Sequence, residues 1–360
     1  MRRGVLIIAE AGVNHNGSPG RARELVDAAV AAGADVVKFQ TFHADLIATR
    51  NVGKADYQQR TGAADETQHA MLRRLELDEA AHADLIAYCG SHGIEFLSTP
   101  FDLPSIDLLA GRHRLRRLKI SSGDLTNGPL LLHAARTGAS IVLSTGMSTL
   151  GEIEAALGIL AFGMSAAPGA APGETAFAAA YQSEVGQVAL RARLSLLHCT
   201  SQYPAPPASV NLRAMETMGE AFGLPVGYSD HTLGIAVAIA AAARGAVVIE
   251  KHFTLDRGLP GPDHAASLEP DELRQMVAAI REVEAALGSP LKTPAECEQA
   301  TRAVARKNLV AACAIRAGDI FGAANLDCKR APGGMSAMHY WDMLGRVAQR
   351  DYAADEPIEP

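Results

Sequence analysis

The sequence predicts an α/β chain, a (β/α)8 TIM barrel followed by a small C-terminal β-rich domain. Three observations carry that expectation. Short apolar runs rich in Val, Ile and Leu alternate with longer Ala/Leu/Glu/Arg segments of helical period, which is the pattern of βα units on a parallel sheet. Eight such runs fall within roughly 250 residues, the size of a (β/α)8 barrel. Beyond Gly288 the texture changes to shorter alternating runs and a Gly-rich turn at Pro332, Gly333 and Gly334.

In chain order the candidate strands are 5–9, 35–39, 95–98, 115–120, 140–143, 194–197, 225–228 and 246–250. Helical period marks 19–32, 78–92, 128–137, 150–162, 211–222 and 233–244 between them, and 269–287 as the closing helix. A doubly wound open sheet is the competing architecture, but it usually has fewer strands and a Gly-rich phosphate fingerprint after the first. Residues 163–193 break the rhythm with a Pro/Gly/Ala cluster, SAAPGAAPG, and a short polar helix-like piece, so they read as a surface insertion. The barrel is therefore assigned to 1–288, a Pro- and Glu-containing linker to 289–301, a second domain to 302–350 and a tail to 351–360. A domain of about 50 residues is small enough to need docking against something larger.

Composition narrows the function classes. Apolar residues make up 48% of the 360, enough for a large core, and the net charge is −7. No Lys/Arg block is long enough to suggest nucleic acid or membrane binding; the arginine-rich 112–117 stretch reads as a solvated loop before a strand. The five cysteines form no CxxC pair, which argues against a disulfide framework and a four-cysteine zinc site. Met1 leads straight into the first apolar run without a signal-peptide core, and no apolar run approaches about 18 residues, so the expected location is cytoplasmic.

Chemistry in such a barrel sits where strands end and loops begin. The strand ends supply Glu10, Lys38, Ser98 and Thr99, Lys119 with Ser122 and Asp124, Ser144 and Thr145, His198, Ser229 with Asp230 and His231, and Glu250 with His252. Two lysines among several hydroxyls suit a phosphate monoester or carboxylate, because lysine acts as a point charge and hydroxyls as directed donors. His231 and His252 end neighbouring strands and set two imidazoles beside one cavity, a pairing that suits Mn, Co, Zn or Fe ions, with Asp124 placed to hold a water ligand. His198 reads as structural. Glu10 reads equally as an acid/base or cation-stabilising group and as a carboxylate capping the barrel end.

At this point the motifs resemble the sialic acid synthase family. They are IIAEAGVNHNG (7–17), VVKFQTF (36–42), LSTPFD (97–102), KISSGD (119–124), LSTGM (143–147), LLHCTSQYPAP (196–206), YSDHTLG (228–234), IEKHFTLD (249–256) and GPDH (261–264). The C-terminal ARKNLVAA (305–312), LDCKR (326–330) and YWDMLGRVA (340–348) resemble the antifreeze-like SAF domain that ends those enzymes. The resemblance implies a transferase of carbohydrate biosynthesis that condenses phosphoenolpyruvate with an open-chain acylated hexosamine and water, releasing phosphate by C–O cleavage. It implies phosphoenolpyruvate binding by Lys38, Thr99, Lys119, Ser122, Ser144 and Ser229, and a divalent metal, usually Mn2+ with Mg2+ or Co2+ as alternatives, on His231 and His252 with Asp124 acting through water. Glu10 would support the oxocarbenium-like intermediate; Tyr203, Ser201 and Asp263 would face the sugar. Arg330 would reach from the SAF domain of the partner in a homodimer with swapped SAF domains. N-acetylmannosamine, giving N-acetylneuraminate, is the first expected acceptor, and 2,4-diacetamido-2,4,6-trideoxymannose, giving N,N'-diacetyllegionaminate, the second. Two departures bear on that choice. Ser201 stands where some N-acetylneuraminate synthases have Asn, and KRAPGGMS (329–336) replaces KRPGxGIS. A metal-dependent hydrolase on the same barrel is the distant alternative, which would call for more His/Asp ligands than the single His15 after the first strand.

Overall fold

The computed structural model describes residues 4–50, 53 and 67–359. The chain divides into two compact units, Met1–Gly288 and Ser289–Pro360.

In the first unit eight parallel strands pair in the order β3-β2-β1-β8-β7-β6-β5-β4. They are β1 (Leu6–Gly12), β2 (Val36–Thr41), β3 (Glu95–Pro100), β4 (Arg117–Ile120), β5 (Ser140–Ser144), β6 (Leu194–Cys199), β7 (Val226–Asp230) and β8 (Val248–His252). The end strands β3 and β4 run side by side, so the sheet curls into a barrel with its seam there. Helices Pro19–Ala32, Glu79–Ser91, Gly128–Arg136, Leu150–Ser165, Ala214–Phe222, Ala236–Ala243 and Pro270–Leu287 follow individual strands, each right-handed crossover burying an apolar stripe against the sheet. Their ends are locally encoded. Ser18 caps the first helix ahead of Pro19, and Gly33 closes it at φ 79°, while Thr149 and Glu152 form a reciprocal capping box.

The barrel interior is layered because side chains alternate along a strand. Ile8, Val36, Leu97, Val142, Leu197 and Val248 form a separate apolar cluster inside the sheet. Gly227 occupies the same level on β7, where a Cβ would run into the Val248 carbonyl and the Leu197 side chain. This plug is the floor on which the site is built.

The arginine-rich 112–117 stretch ends a π-helical turn (Asp107–Arg112) and leads into β4. Within 163–193 the structure holds the end of helix Leu150–Ser165 and two further helices, Glu174–Gln182 and Glu184–Arg193. They pack back on the barrel helix: a Cβ at Gly158 would sit 3.2 Å from the Phe177 carbonyl oxygen, and the Phe162 and Phe177 rings meet edge to face at 5.3 Å.

The second unit pairs β9 (Lys307–Ala311) with β10 (Leu326–Arg330) antiparallel. Of the segment 351–360, expected as a tail, the described residues 351–359 instead contribute to this unit's core. Tyr352 and Ile358 are buried with Leu309, Ile315, Phe321 and Leu326, and isolated bridges tie Ile315 to Tyr352 and Val310 to Pro357. With only two named strands, this unit needs those last apolar residues to complete its core. The turn after β10 is pinned by Asn308, whose amide donates to the carbonyls of Ala331 (3.2 Å) and Gly333 (2.6 Å). Among the described residues no helix is long and apolar enough to cross a membrane.

Candidate active site

Two residues beyond the level of the apolar floor, the strands turn a second ring of side chains inward. These are Glu10, Lys38, Thr99, Lys119, Ser144, Cys199, Ser229 and Glu250, one from each strand. Two residues further on come Gln40, Phe101, Ser121, Ser201, His231 and His252. Both rings line one cavity of about 440 Å³ at the C-terminal mouth, together with Ser122, Tyr203 and Asp263.

The second ring is a charge network. Lys38 Nζ lies 2.6 Å from Glu10 Oε2, donates to Thr99 Oγ1 at 3.0 Å and stands 3.6 Å from Glu250. Lys119 Nζ is 3.3 Å from the other Glu250 oxygen, which also accepts from Ser229 Oγ at 2.7 Å. Glu250 thus bridges both lysines. Burial alone would raise its pKa, but the Lys119 and Lys38 ammonium groups outweigh that and hold it at about 2. Glu10 behaves oppositely: burial dominates, the Glu250 charge adds to it, and its carboxyl is pushed up to about 7 in spite of Lys38. Burial, with the like charge of Lys38, also lowers Lys119 against the opposing pull of Glu250. Among the described residues Ser144 Oγ is buried without a hydrogen-bond partner, and Ser122 Oγ accepts from the Gly146 amide at 2.9 Å.

The imidazoles of His231 and His252 lie 5.5 Å apart, centroid to centroid, with the Tyr203 ring 4.1 Å from His231 and 5.7 Å from His252. His231 Nδ1 is engaged by the Thr200 carbonyl oxygen at 2.8 Å, which leaves Nε2 for the cavity. Among the described residues His252 Nδ1 is buried without a hydrogen-bond partner, 4.0 Å from Asp263. Burial and the neighbouring His231 hold its pKa well below the ordinary imidazole value, so the ring is neutral, the form that ligates metal. Burial works against protonation of His231 too, but the Cys199 side chain and the Thr200 carbonyl outweigh it and raise its pKa, so a cation on this ring would displace a proton. The orphaned His252 nitrogen beside the His231 imidazole fits a divalent cation held by two protein ligands. No third His, Cys, Asp or Glu completes a ligand cluster among the described residues. Asp263 is buried, and that burial raises its carboxyl to about 6.

Within the first unit, Asp124 and His15 are not part of the cavity lining. The Asp124 carboxylate accepts from Ser121 Oγ at 3.0 Å and Asn127 Nδ2 at 3.1 Å, so it is spent on the loop that caps the next helix. His15 is buried away from the cavity, its Nδ1 accepting from the Gly17 amide at 3.0 Å, which removes the hydrolase-like ligand. Arg330 is the exposed last residue of β10 in the second unit. His198, read as structural, binds the Val210 carbonyl oxygen at 2.6 Å. Glu250 and Cys199 carry no role in the sequence reading, although the two-residue alternation from Val248 and Leu197 places both in the ring.

Comparison with known proteins adds a family. The NeuB family model matches residues 25–292 and the SAF domain model residues 306–360. The chain is 46% identical to the N,N'-diacetyllegionaminic acid synthase of Campylobacter jejuni, covering 98% of each chain. It is 47% identical to the protein of that name from Legionella pneumophila over 84% of this chain and 79% of that one. Human N-acetylneuraminate-9-phosphate synthase is 34% identical, over 87% and 80%. Among solved structures, an N-acetylneuraminic acid synthetase from Leptospira borgpetersenii in complex with citrate aligns with a TM-score of 0.66 at 32% identity, covering 83% of this chain and 90% of that one.

Proposed function

The chain belongs to the NeuB family, and from that membership we propose that it condenses phosphoenolpyruvate with 2,4-diacetamido-2,4,6-trideoxymannose and water, giving N,N'-diacetyllegionaminate and phosphate. The observation that carries the reading is the buried ring in which Lys38, Lys119, Thr99, Ser144 and Ser229 converge beside a histidine pair. N-acetylmannosamine becomes the second acceptor. Identities of 46% and 47% to two diacetyllegionaminic acid synthases, against 34% to the human N-acetylneuraminate-9-phosphate synthase, support the diacetamido sugar.

In this reading Lys38 and Lys119 receive the phosphate and carboxylate of phosphoenolpyruvate, with Thr99, Ser122, Ser144 and Ser229 supplying directed donors. C3 of phosphoenolpyruvate attacks the aldehyde carbon, and positive charge develops at C2. Glu10, at the edge of the lysine pair, faces that charge; with a pKa of about 7 it is also suited to take a proton from the water that captures C2. Phosphate then leaves by C–O cleavage, its charge met by the two ammonium groups. His231 and His252 would hold a divalent metal, Mn2+ first and Mg2+ or Co2+ as alternatives, which supplies Lewis-acid polarisation of the aldehyde oxygen. Tyr203, Ser201 and Asp263 orient the sugar. A homodimer in which each copy lends its SAF domain, and with it Arg330, to the other belongs to the same proposal, as does a cytoplasmic location.

The test is phosphate release from phosphoenolpyruvate with Mn2+ and each acceptor in turn. Turnover of the diacetamido sugar well above N-acetylmannosamine is expected. Preference for N-acetylmannosamine reverses the acceptor assignment, and no release with either sinks the synthase reading.

A further inference from the structure

The cavity has two chemically distinct sides. The charged floor comes from the tips of β1, β2, β4, β7 and β8. A second wall is apolar and comes from the segments after β1, β2 and β3, including the short helix Ala44–Ile47, and from helix Gln68–Leu75: Val13, Phe42, Ile47, Met71, Leu72 and Phe101. These side chains form a cluster separate from the main core, with the Phe42 and Phe101 rings edge to face at 6.2 Å. Val13, Phe42 and Met71 are buried, whereas Ile47, Leu72 and Phe101 are half-buried and turn surface toward the cavity. Among the described residues only the amides of Gln40 and Gln68 bring polar groups to this side of the lining.

From this asymmetry, and resting on the synthase reading above, we infer that the wall selects acceptors deoxygenated at the end remote from the aldehyde. The aldehyde carbon must lie against the charged floor, where C3 of phosphoenolpyruvate reaches it. The far end of the open-chain hexose then meets the apolar wall. A C6 methyl buries there favourably, whereas a C6 hydroxyl gives up water among mostly apolar side chains. A methyl in an apolar pocket discriminates by roughly 10- to 200-fold. Acceptor choice thus rests on Ile47, Leu72 and Phe101 as well as on the polar residues near the reacting carbon.

The experiment compares kcat/KM for 2,4-diacetamido-2,4,6-trideoxymannose with that for the same sugar carrying a C6 hydroxyl, at saturating phosphoenolpyruvate and Mn2+, in the full-length protein. The natural chain should favour the deoxy sugar by about 10-fold or more. Leu72→Gln keeps a good helix former and adds a hydrogen-bonding amide. It should narrow that ratio at least about 5-fold through the KM of the acceptor, with the KM of phosphoenolpyruvate unchanged; Ile47→Thr should act in the same direction from a separate element. Equal use of both sugars by the natural chain overturns the wall and leaves the synthase reading standing. Variants that lose activity on both sugars in parallel also overturn it, since that marks a packing role alone. Turnover of N-acetylmannosamine with neither diacetamido sugar used overturns the acceptor reading and the wall together.

Discussion

Lys251 offers the sharpest test of how the two cavity histidines are held. It lies between Glu250 and His252 but points to the other face of β8, where it is fully buried against Asp230, its ladder partner on β7. Its ammonium donates to Asp230 Oδ2 at 2.8 Å and to the Thr232 carbonyl oxygen. The second Asp230 oxygen accepts from the Thr232 amide (2.9 Å), the Thr232 hydroxyl (2.8 Å) and the Tyr228 hydroxyl (3.2 Å). The pair therefore clamps the turn presenting His231 to the strand presenting His252. Lys251→Met keeps the length and removes the charge. Asp230 keeps three donors but stands fully buried without a counter-charge, a situation that costs about 3–5 kcal/mol. Those three donors place the expected loss near the lower bound, about 3 kcal/mol. Urea unfolding should show a lowered midpoint with an unchanged slope, and the melting temperature should drop by roughly 6 °C or more. Pairing the change with Asp230→Asn should recover at least about 1 kcal/mol relative to the sum of the single losses. Strict additivity, or a loss below about 1 kcal/mol for Lys251→Met, would refute the clamp.

Two further outcomes follow from buried titratable groups. Burial, helped by the positive charges nearby, holds His15 at about 4, against about 6.5 in an unfolded chain, so the folded state binds fewer protons between those values. Its contribution is complete above about pH 6.5 and is lost as pH falls toward 4, amounting to about 3 kcal/mol; His15→Gln should flatten the stability–pH curve in that window, and an unaltered curve would contradict the assignment. Glu10, at about 7, is mostly ionised at pH 8, and an anion placed on Lys38 and Lys119 raises it further. Phosphoenolpyruvate binding at pH 8 should therefore take up a fraction of a proton, read by calorimetry in buffers of different ionisation enthalpy; the Glu10 share should vanish near pH 5 and in Glu10→Gln, and buffer-independent heats at pH 8 would contradict it.

The barrel was legible because hydrophobic periodicity and length each constrain it separately. All eight expected strands overlap observed ones, and the ends that differ do so mostly because the strands continue two residues into the polar site, as at Glu10–Gly12 and Asp230. Those extensions carry the chemistry, and an apolar-run criterion stops short of them. Glu250 was visible as a strand-end carboxylate, but IEKHF sets two charges side by side, and only the register shows that Glu250 faces inward and Lys251 outward. Asp124 misled because its place after a strand says nothing of the competing donors, Ser121 and Asn127, that the loop itself supplies. Residues 351–360 looked like a tail because their polar residues mask Tyr352 and Ile358, two apolar positions whose partners lie some 40 residues back in the chain.

Glu250 also changes what ligand entry means. Since one carboxylate already bridges both lysines, an incoming phosphate or carboxylate does not fall into bare positive charge; it must compete with a resident anion for the ammonium hydrogens. Capture becomes exchange. A simple monoanion can replace only part of what Glu250 provides, whereas a ligand with two anionic groups can engage both lysines at once. The same resident carboxylate is ready to reclaim them when phosphate departs, so release at the end of the cycle does not require stripping an anion from an uncompensated site.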